Sequence, residues 1–429
     1  MSNYGLVLSS DGSKSSFEIG AWKALREFDI NIAGVSGSFV GALNAALIAQ
    51  GDFERAVRFW RNVATKDLFG VNKFIAQKYT EEWSKSDTKT FKKSFLKYIQ
   101  CQTEELDPLK EILDNYIDEK TIRHSATKLG FVSVSLSTLE AEMLTIEKIP
   151  RGKLNTYLLA ASCFPQISQV NRAQDPQFSS TYSPYKIIAG YGIDNILSTD
   201  DLLIVPSDID STVTIIQSSE AMVLDLCESA DKMKKNIKMG YIDTLKLFEK
   251  SLGSIYFIQE HHPSEQLSVF RKSVGKTFGN HFDLLLKLLL RSSNITRDTV
   301  EIRASQMMQS TGTKYEDIYI ALIENAAKIL QIGKDEKYTF DRLITSTSTE
   351  MTRLIANNKA KLSDTLYIKN LMREASSEGK NIPSPDVFAQ YFLLLISCKP
   401  SSYEKFLPFI NALHTKTVLA IATMLYLMY

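Results

Sequence analysis

The chain is poor in the residues that most often announce a chemistry. Four cysteines occur in 429 residues, at Cys101, Cys163, Cys227 and Cys398. They are too far apart for a metal cradle or a disulfide framework, which fits a reducing compartment. Of five histidines, two are the adjacent His261-His262; adjacent residues do not share a helix face, so this pair reads as loop. Neither sign of charge is in excess. Lys and Arg number 50 against 49 acidic residues, a net of +1, which removes the electrostatic basis for nucleic acid or an anionic surface. No apolar run reaches the roughly 20 residues that a spanning helix needs. The nearest, Thr417 to Tyr429, is shorter, and extending it back to Phe406 takes in Lys416 and His414; a buried core helix is the first reading. No basic stretch precedes the short apolar run near Met1, and Ser2 stands where myristoylation needs Gly. The expectations are no metal, no cofactor, no nucleic acid and a cytoplasmic location. Peripheral lipid or membrane contact through 406–429 is a secondary expectation.

Ile30 to Ala49, INIAGVSGSFVGALNAALIA, organises the rest. An apolar run passes through Gly-rich sequence into a helix-forming run, the pattern of strand, sharp turn and helix. A G-x-S-x-G turn of this kind holds a nucleophilic Ser at a strained apex. In Gly37-Ser38-Phe39-Val40-Gly41 both glycines are present, but Phe39 takes the centre. A second register, Gly34 to Ser38, centres on Ser36 but lacks the closing Gly. Gly41-Ala42-Leu43-Asn44 favours the first, because the whole resembles G-T-S-x-G-A-x-N, the elbow of the patatin-like lipid acyl hydrolases.

Other segments extend the resemblance. Tyr4 to Ser9 reads as a buried strand and Phe17 to Phe28 as an amphipathic helix. The loop between them, Ser10-Asp11-Gly12-Ser13-Lys14-Ser15, stands where the family has a glycine-rich oxyanion loop. Gly12 and Lys14 match. Ser10, Asp11 and Ser15 replace glycines, and Asp11 brings negative charge where an oxyanion would form. The same stretch also reads as a polar turn capping the helix. Leu158 to Pro165 resembles the family's Ala-Ser segment. Ala189-Gly190-Tyr191-Gly192-Ile193-Asp194-Asn195 resembles D-G-G/A-x-x-D-N at the end of a strand. There the resemblance implies that the first Asp would be the base for the elbow Ser. Ala189 holds that place, Tyr191 replaces the second Gly, and Asp194 and Asn195 match. Gly240-Tyr241-Ile242-Asp243-Thr244 resembles a closing G-Y-x-D-T segment.

The expected fold is α/β: a three-layer patatin-like domain with a mainly parallel sheet over 1–260, carrying a helical insertion at about 66–130, then a helical region over 261–429. Hydrolysis needs a nucleophile, a base and oxyanion donors, and the chain departs from the family at all three. The expectation is a pseudoenzyme that binds or assembles, pairing with itself or with an active patatin-like relative. The alternative is a lipid acyl hydrolase with Ser38, or Ser36, as nucleophile and Asp194 as fallback base.

Overall fold

The computed structural model describes residues 2–10, 15–66, 103–134, 141–162, 181–199, 205–220, 229–259, 265–279, 281–313, 315–378 and 381–429. They form two compact units, Met1–Glu249 and Lys250–Tyr429; the sequence reading draws this line at 260.

In the first unit six strands make one sheet, in the order β4-β3-β2-β1-β5-β6. They are β1 (Asn3–Ser10), β2 (Asn31–Phe39), β3 (Lys128–Val134), β4 (Ala141–Thr145), β5 (Asn195–Ser198) and β6 (Thr212–Ile215). Every neighbouring pair is parallel except β3 with β4. Side chains alternate across the sheet. Leu6 and Leu8 join one core layer with Phe17, Leu43 and Phe59, while Val7 joins another with Tyr185, Ile188 and Ile196. Helices therefore cover both faces. The first layer holds α1 (Ser15–Glu27), α2 (Val40–Gln50), α3 (Phe53–Lys66), α4 (Thr103–Tyr116), α5 (Glu119–Arg123) and α6 (Leu154–Ser162). The second holds α7 (Pro184–Gly190), and α8 (Ala230–Phe248) ends the unit.

Helix α2 is apolar on every face but for Asn44 and is buried from Val40 to Ala49, as befits a helix inside a layer. It stops at Gly51, whose φ of 85° lets its N–H reach back to Leu47 O and Ile48 O. Helices α1 and α8 approach closely. A Cβ on Gly20 would lie 1.9 Å from Ile237 O, and one on Gly240 would lie 2.0 Å from Phe17 O. Only glycine lets two helix backbones meet in this way. This gives the G-Y-x-D-T segment its place. Tyr241 donates to Glu27 at 2.6 Å, and the Asp243 carboxylate accepts from Ser219 N at 2.8 Å.

Of the expected insertion, α4 and α5 are described and 67–102 lie outside the described residues. One expectation is overturned. Tyr185 to Gly190, matched by resemblance to a strand end, is helix α7. Pro184 opens it with a φ already helical. Tyr185 and Ile188, one turn apart, are both fully buried. The helix lies on a bare patch of sheet, where Ile188 fills the space of a missing Cβ at Gly5 and Ile187 that at Gly130.

The second unit is helical apart from a short parallel ribbon, β7 (Phe257–Ile258) with β8 (Lys337–Tyr338). Its helices are α9 (Glu265–Ser273), α10 (His281–Leu289), α11 (Arg297–Ser310), α12 (Ile318–Ile329), α13 (Phe340–Asn358), α14 (Thr365–Glu378), α15 (Pro385–Ser397), α16 (Tyr403–Ala412) and α17 (Thr415–Met428). The Glu324 carboxylate on α12, 2% exposed, accepts the N–H groups of Ser254, Ile255 and Tyr256 and so fixes the turn that leads into β7. Helix α17 is buried from Thr417 to Tyr426 and shares one core with α10, α12 and α15. Of the segment 406–429, expected also as a lipid-facing tail, Thr417 to Tyr426 is therefore core of this unit, while Leu407 and Tyr429 stay exposed. Among the described residues no single helix is long and apolar enough to cross a membrane; α16 and α17 pass on length only as a pair bent by 115°.

Candidate active site

The C-terminal edge of the sheet is where a parallel α/β fold places its ligands, at the point where strand order reverses. Here that edge carries the ends of β2, β1 and β5. Strand β2 runs through Ser36 and Ser38 to Phe39, and α2 begins at the next residue. Phe39 has φ 54° and ψ −127°, a region that side chains other than Gly rarely occupy and that costs about 1–3 kcal/mol. This is the strained apex that a nucleophile elbow requires. The glycines around it explain how it is held. A Cβ on Gly37 would lie 2.3 Å from Gly41 O and 2.7 Å from Ala42 N, so strand and helix pack backbone to backbone across the turn. The register centred on Phe39 is the one formed, with the aromatic ring half-buried at the apex.

The fallback nucleophiles do not share this position. Ser36 lies mid-strand, fully buried, and donates to Pro184 O at 2.8 Å. Ser38 is 5% exposed and precedes the apex within the strand. Alternation along a strand turns it to a different side from its neighbour. Of the expected oxyanion loop, Ser10 ends β1 and Ser15 starts α1, while Asp11, Gly12, Ser13 and Lys14 lie outside the described residues.

Ala189 and Phe39 are not brought together. Helix α7 starts beside Ser36 and runs back toward the N-terminal ends of the strands, where Ile188 meets Gly5 and Gly34. Gly34 is five residues before Phe39 on β2, roughly 16 Å at strand rise. Asp194 is farther. It is exposed and immediately precedes β5, whose first residue, Asn195, is level with Tyr4 and through it with Ile32. Phe39 is level with Ser10, six positions along β1 and so roughly 20 Å away. The Asp194 backbone O accepts from Thr212 N at 2.7 Å, which ties β6 on. Tyr191, in place of a family glycine, donates to Leu129 O at 2.8 Å. Burial and then the Glu147 carboxylate push its phenol above the ordinary range, so it stays a neutral donor.

A buried polar cluster lies behind the elbow, and sequence reasoning missed most of it. Glu18 in the first turn of α1 is fully buried. Its Oε2 accepts from Asn44 Nδ2 at 2.7 Å and its Oε1 from Thr199 Oγ1 at 3.0 Å. Asn44 also donates to Ser15 O at 2.8 Å and accepts from Trp60 Nε1 at 2.7 Å. One carboxylate and one amide thus join α1, α2, α3 and the end of β5. Asn44 was marked by the G-A-x-N motif. Glu18, between Phe17 and Ile19, carried only the hint of a charge within an apolar stretch. Among the described residues there is no group of three or more His, Cys, Asp or Glu able to hold a metal ion.

Comparison with known proteins bears on this arrangement. Among solved structures, VipD from Legionella pneumophila aligns over 99% of this chain and 91% of its own, at 13% identity and a TM-score of 0.27. The type III effector protein ExoU aligns over 98% and 78%, at 15% identity and a TM-score of 0.26. Full-length ExoU from Pseudomonas aeruginosa in complex with SpcU aligns over 91% and 77%, at 16% identity and a TM-score of 0.27. No curated protein matches significantly. A family model, patatin-like phospholipase, matches residues 6–194. That span runs from the first strand through the elbow to the start of β5, so the N-terminal unit of this chain carries a domain of the patatin-like phospholipase family.

Proposed function

We propose that this is a non-catalytic member of the family, a binding or assembly protein that keeps the hydrolase scaffold. The observation that carries the reading is Phe39, which occupies the strained apex of the elbow. Acyl transfer needs an oxygen or sulfur nucleophile at that point, and a phenyl ring has none. Ala189 offers no base, and Asp194 lies at the opposite end of the sheet from the apex. The alternative, hydrolysis through Ser36 or Ser38, requires a buried strand serine to leave its place. Ser36 would also give up its bond to Pro184 O.

The proposed partner is a second copy of the chain or a catalytically intact patatin-like relative. The test is direct. Purified full-length protein is incubated with a panel of glycerophospholipids and lysolipids, products are read by mass spectrometry, and mass in solution is read by light scattering. We expect no product above the buffer rate and a mass above that of one chain, alone or with the relative. Turnover that Ser38→Ala abolishes would overturn the pseudoenzyme reading.

A further inference from the structure

The first unit carries a second feature, away from the sheet edge and unused by the reading above. Two open grooves meet at Asp52, between the end of α2 and the face of α3. One, of about 410 Å³, is lined by Asp52, Arg55, Arg58, Asn62, Asn115 and Tyr116. The other, of about 470 Å³, includes Arg26, Phe53 and Glu54. The sequence places Arg55 and Arg58 one turn apart on α3, on one face. Arg55 is held in place, its Nη2 donating to Asn115 O at 2.8 Å, and it also feels the Asp118 carboxylate. Arg58 is exposed and makes no ion pair or hydrogen bond among the described residues. The Asn62 amide donates to Tyr116 OH at 2.5 Å, so the floor is polar and ordered. At the far end the Arg26 guanidinium lies 5.5 Å from both the Trp22 and Phe53 rings. Stacking of this kind fixes its plane without neutralising it.

We propose that the double groove binds an acidic polypeptide segment of a protein partner, with Arg58 and Arg26 as its two carboxylate contacts. Charge complementarity selects this occupant. Planar guanidinium groups match carboxylates in bidentate geometry. The grooves are also lined by the exposed side chains of Asp52, common to both, and Glu54, which shares the second with Arg26. A continuous anionic surface, whether membrane or nucleic acid, would press negative charge onto them. A polypeptide can vary its charge, acidic at both ends with a basic or neutral residue between. The grooves are too open to enclose a small molecule, which normally buries most of its surface. The proposal does not rest on the elbow being inactive, since a hydrolase would carry the same grooves.

The probe is a fluorescein-labelled peptide, Glu-Glu-Gly-Lys-Gly-Glu-Glu, titrated with the full chain by anisotropy at low and at physiological salt. We expect saturable binding that weakens with salt. Arg58→Glu should weaken it about tenfold or more, Arg58→Gln by less, and Arg26→Glu measurably. The peptide with Glu and Lys exchanged should not bind. Circular dichroism unchanged in Arg58→Gln and Arg58→Glu excludes unfolding as the cause. Three results would each overturn the proposal: no peptide binding, binding indifferent to both Arg58 variants, or displacement at equal concentration by inorganic phosphate or by phosphatidylcholine–phosphatidylserine vesicles.

Discussion

Replacing Phe39 by Gly and, separately, by Ala measures the strain stored at the apex. At ordinary positions in regular structure Gly is less stable than Ala by about 0.5–1 kcal/mol, because it loses more backbone freedom on folding. At φ 54° and ψ −127° the order should invert. Ala keeps the Cβ that makes this region unfavourable, about 1–3 kcal/mol, and Gly does not. Both variants lose the same half-buried ring, worth about 1–2 kcal/mol, so that loss cancels in the comparison. Phe39→Gly should therefore be more stable than Phe39→Ala by about 1 kcal/mol, or near 0.5 M in urea midpoint for a unit of this size. The assay is selective by composition. All three tryptophans, Trp22, Trp60 and Trp83, belong to residues 1–249, so indole fluorescence follows the first unit alone. Equal midpoints, or Ala above Gly, would mean that the apex is not strained and that the elbow geometry does not hold in solution.

Four other outcomes are expected. Phe39→Ser with Ala189→Asp should give no lipid or ester turnover by mass spectrometry, because Ala189 lies on α7 next to Ile188, which packs at Gly34, and Gly34 is itself roughly 16 Å before the apex at strand rise; robust turnover would refute the placement of α7. Gly240→Ala, whose Cβ would meet Phe17 O at 2.0 Å, should cost about 3 kcal/mol by forcing two helices apart, read by the same fluorescence. Glu119 is raised by burial but lowered more by Arg123 and by the N–H groups of Leu154 and Gly152, so its folded carboxyl lies below the ordinary 4.5. Its contribution is therefore present above pH 4.5 and lost as pH falls through the folded value. Glu119→Gln should lose about 1–2 kcal/mol at neutral pH, with the gap to wild type closing in acid; a gap that persists in acid refutes the assignment. Deleting 417–429 should abolish cooperative unfolding of the second unit by circular dichroism. A fully folded truncation that only loses assembly would show the tail to be an interface.

The elbow was legible because its constraints are local. A strand, two glycines and a helix within twenty residues leave one register in which the backbones can approach, and Gly37 with Gly41 selects it. The tail was legible as core by its apolar content. What failed was a placement made by resemblance. Ile187-Ile188-Ala189 is too short and apolar for periodicity to tell strand from helix, and the Gly patch beneath it comes from three separate strands. The Glu18–Thr199 bond joins residues 181 apart, and nothing in either neighbourhood announces the other. Long-range polar pairs of this kind appear only once the topology is known.

The close crossing of α1 and α8 sets the order in which the N-terminal unit can be completed. Helix α1 is made well before α8 during synthesis, and its backbone at Phe17 and Gly20 is covered by Gly240 and Ile237. Those residues lie well past 194, where the family match ends. A nascent chain that has just finished its elbow therefore still exposes one side of α1. It must hold that side open until some two hundred further residues have emerged. Closure over such a separation is slow, because the chain entropy of a long loop is lost before the contact forms. A fragment cut at the family boundary would stay in that unfinished state, with its first helix uncovered and prone to associate with other chains. The smallest autonomous version of this unit ends after Phe248, not at residue 194.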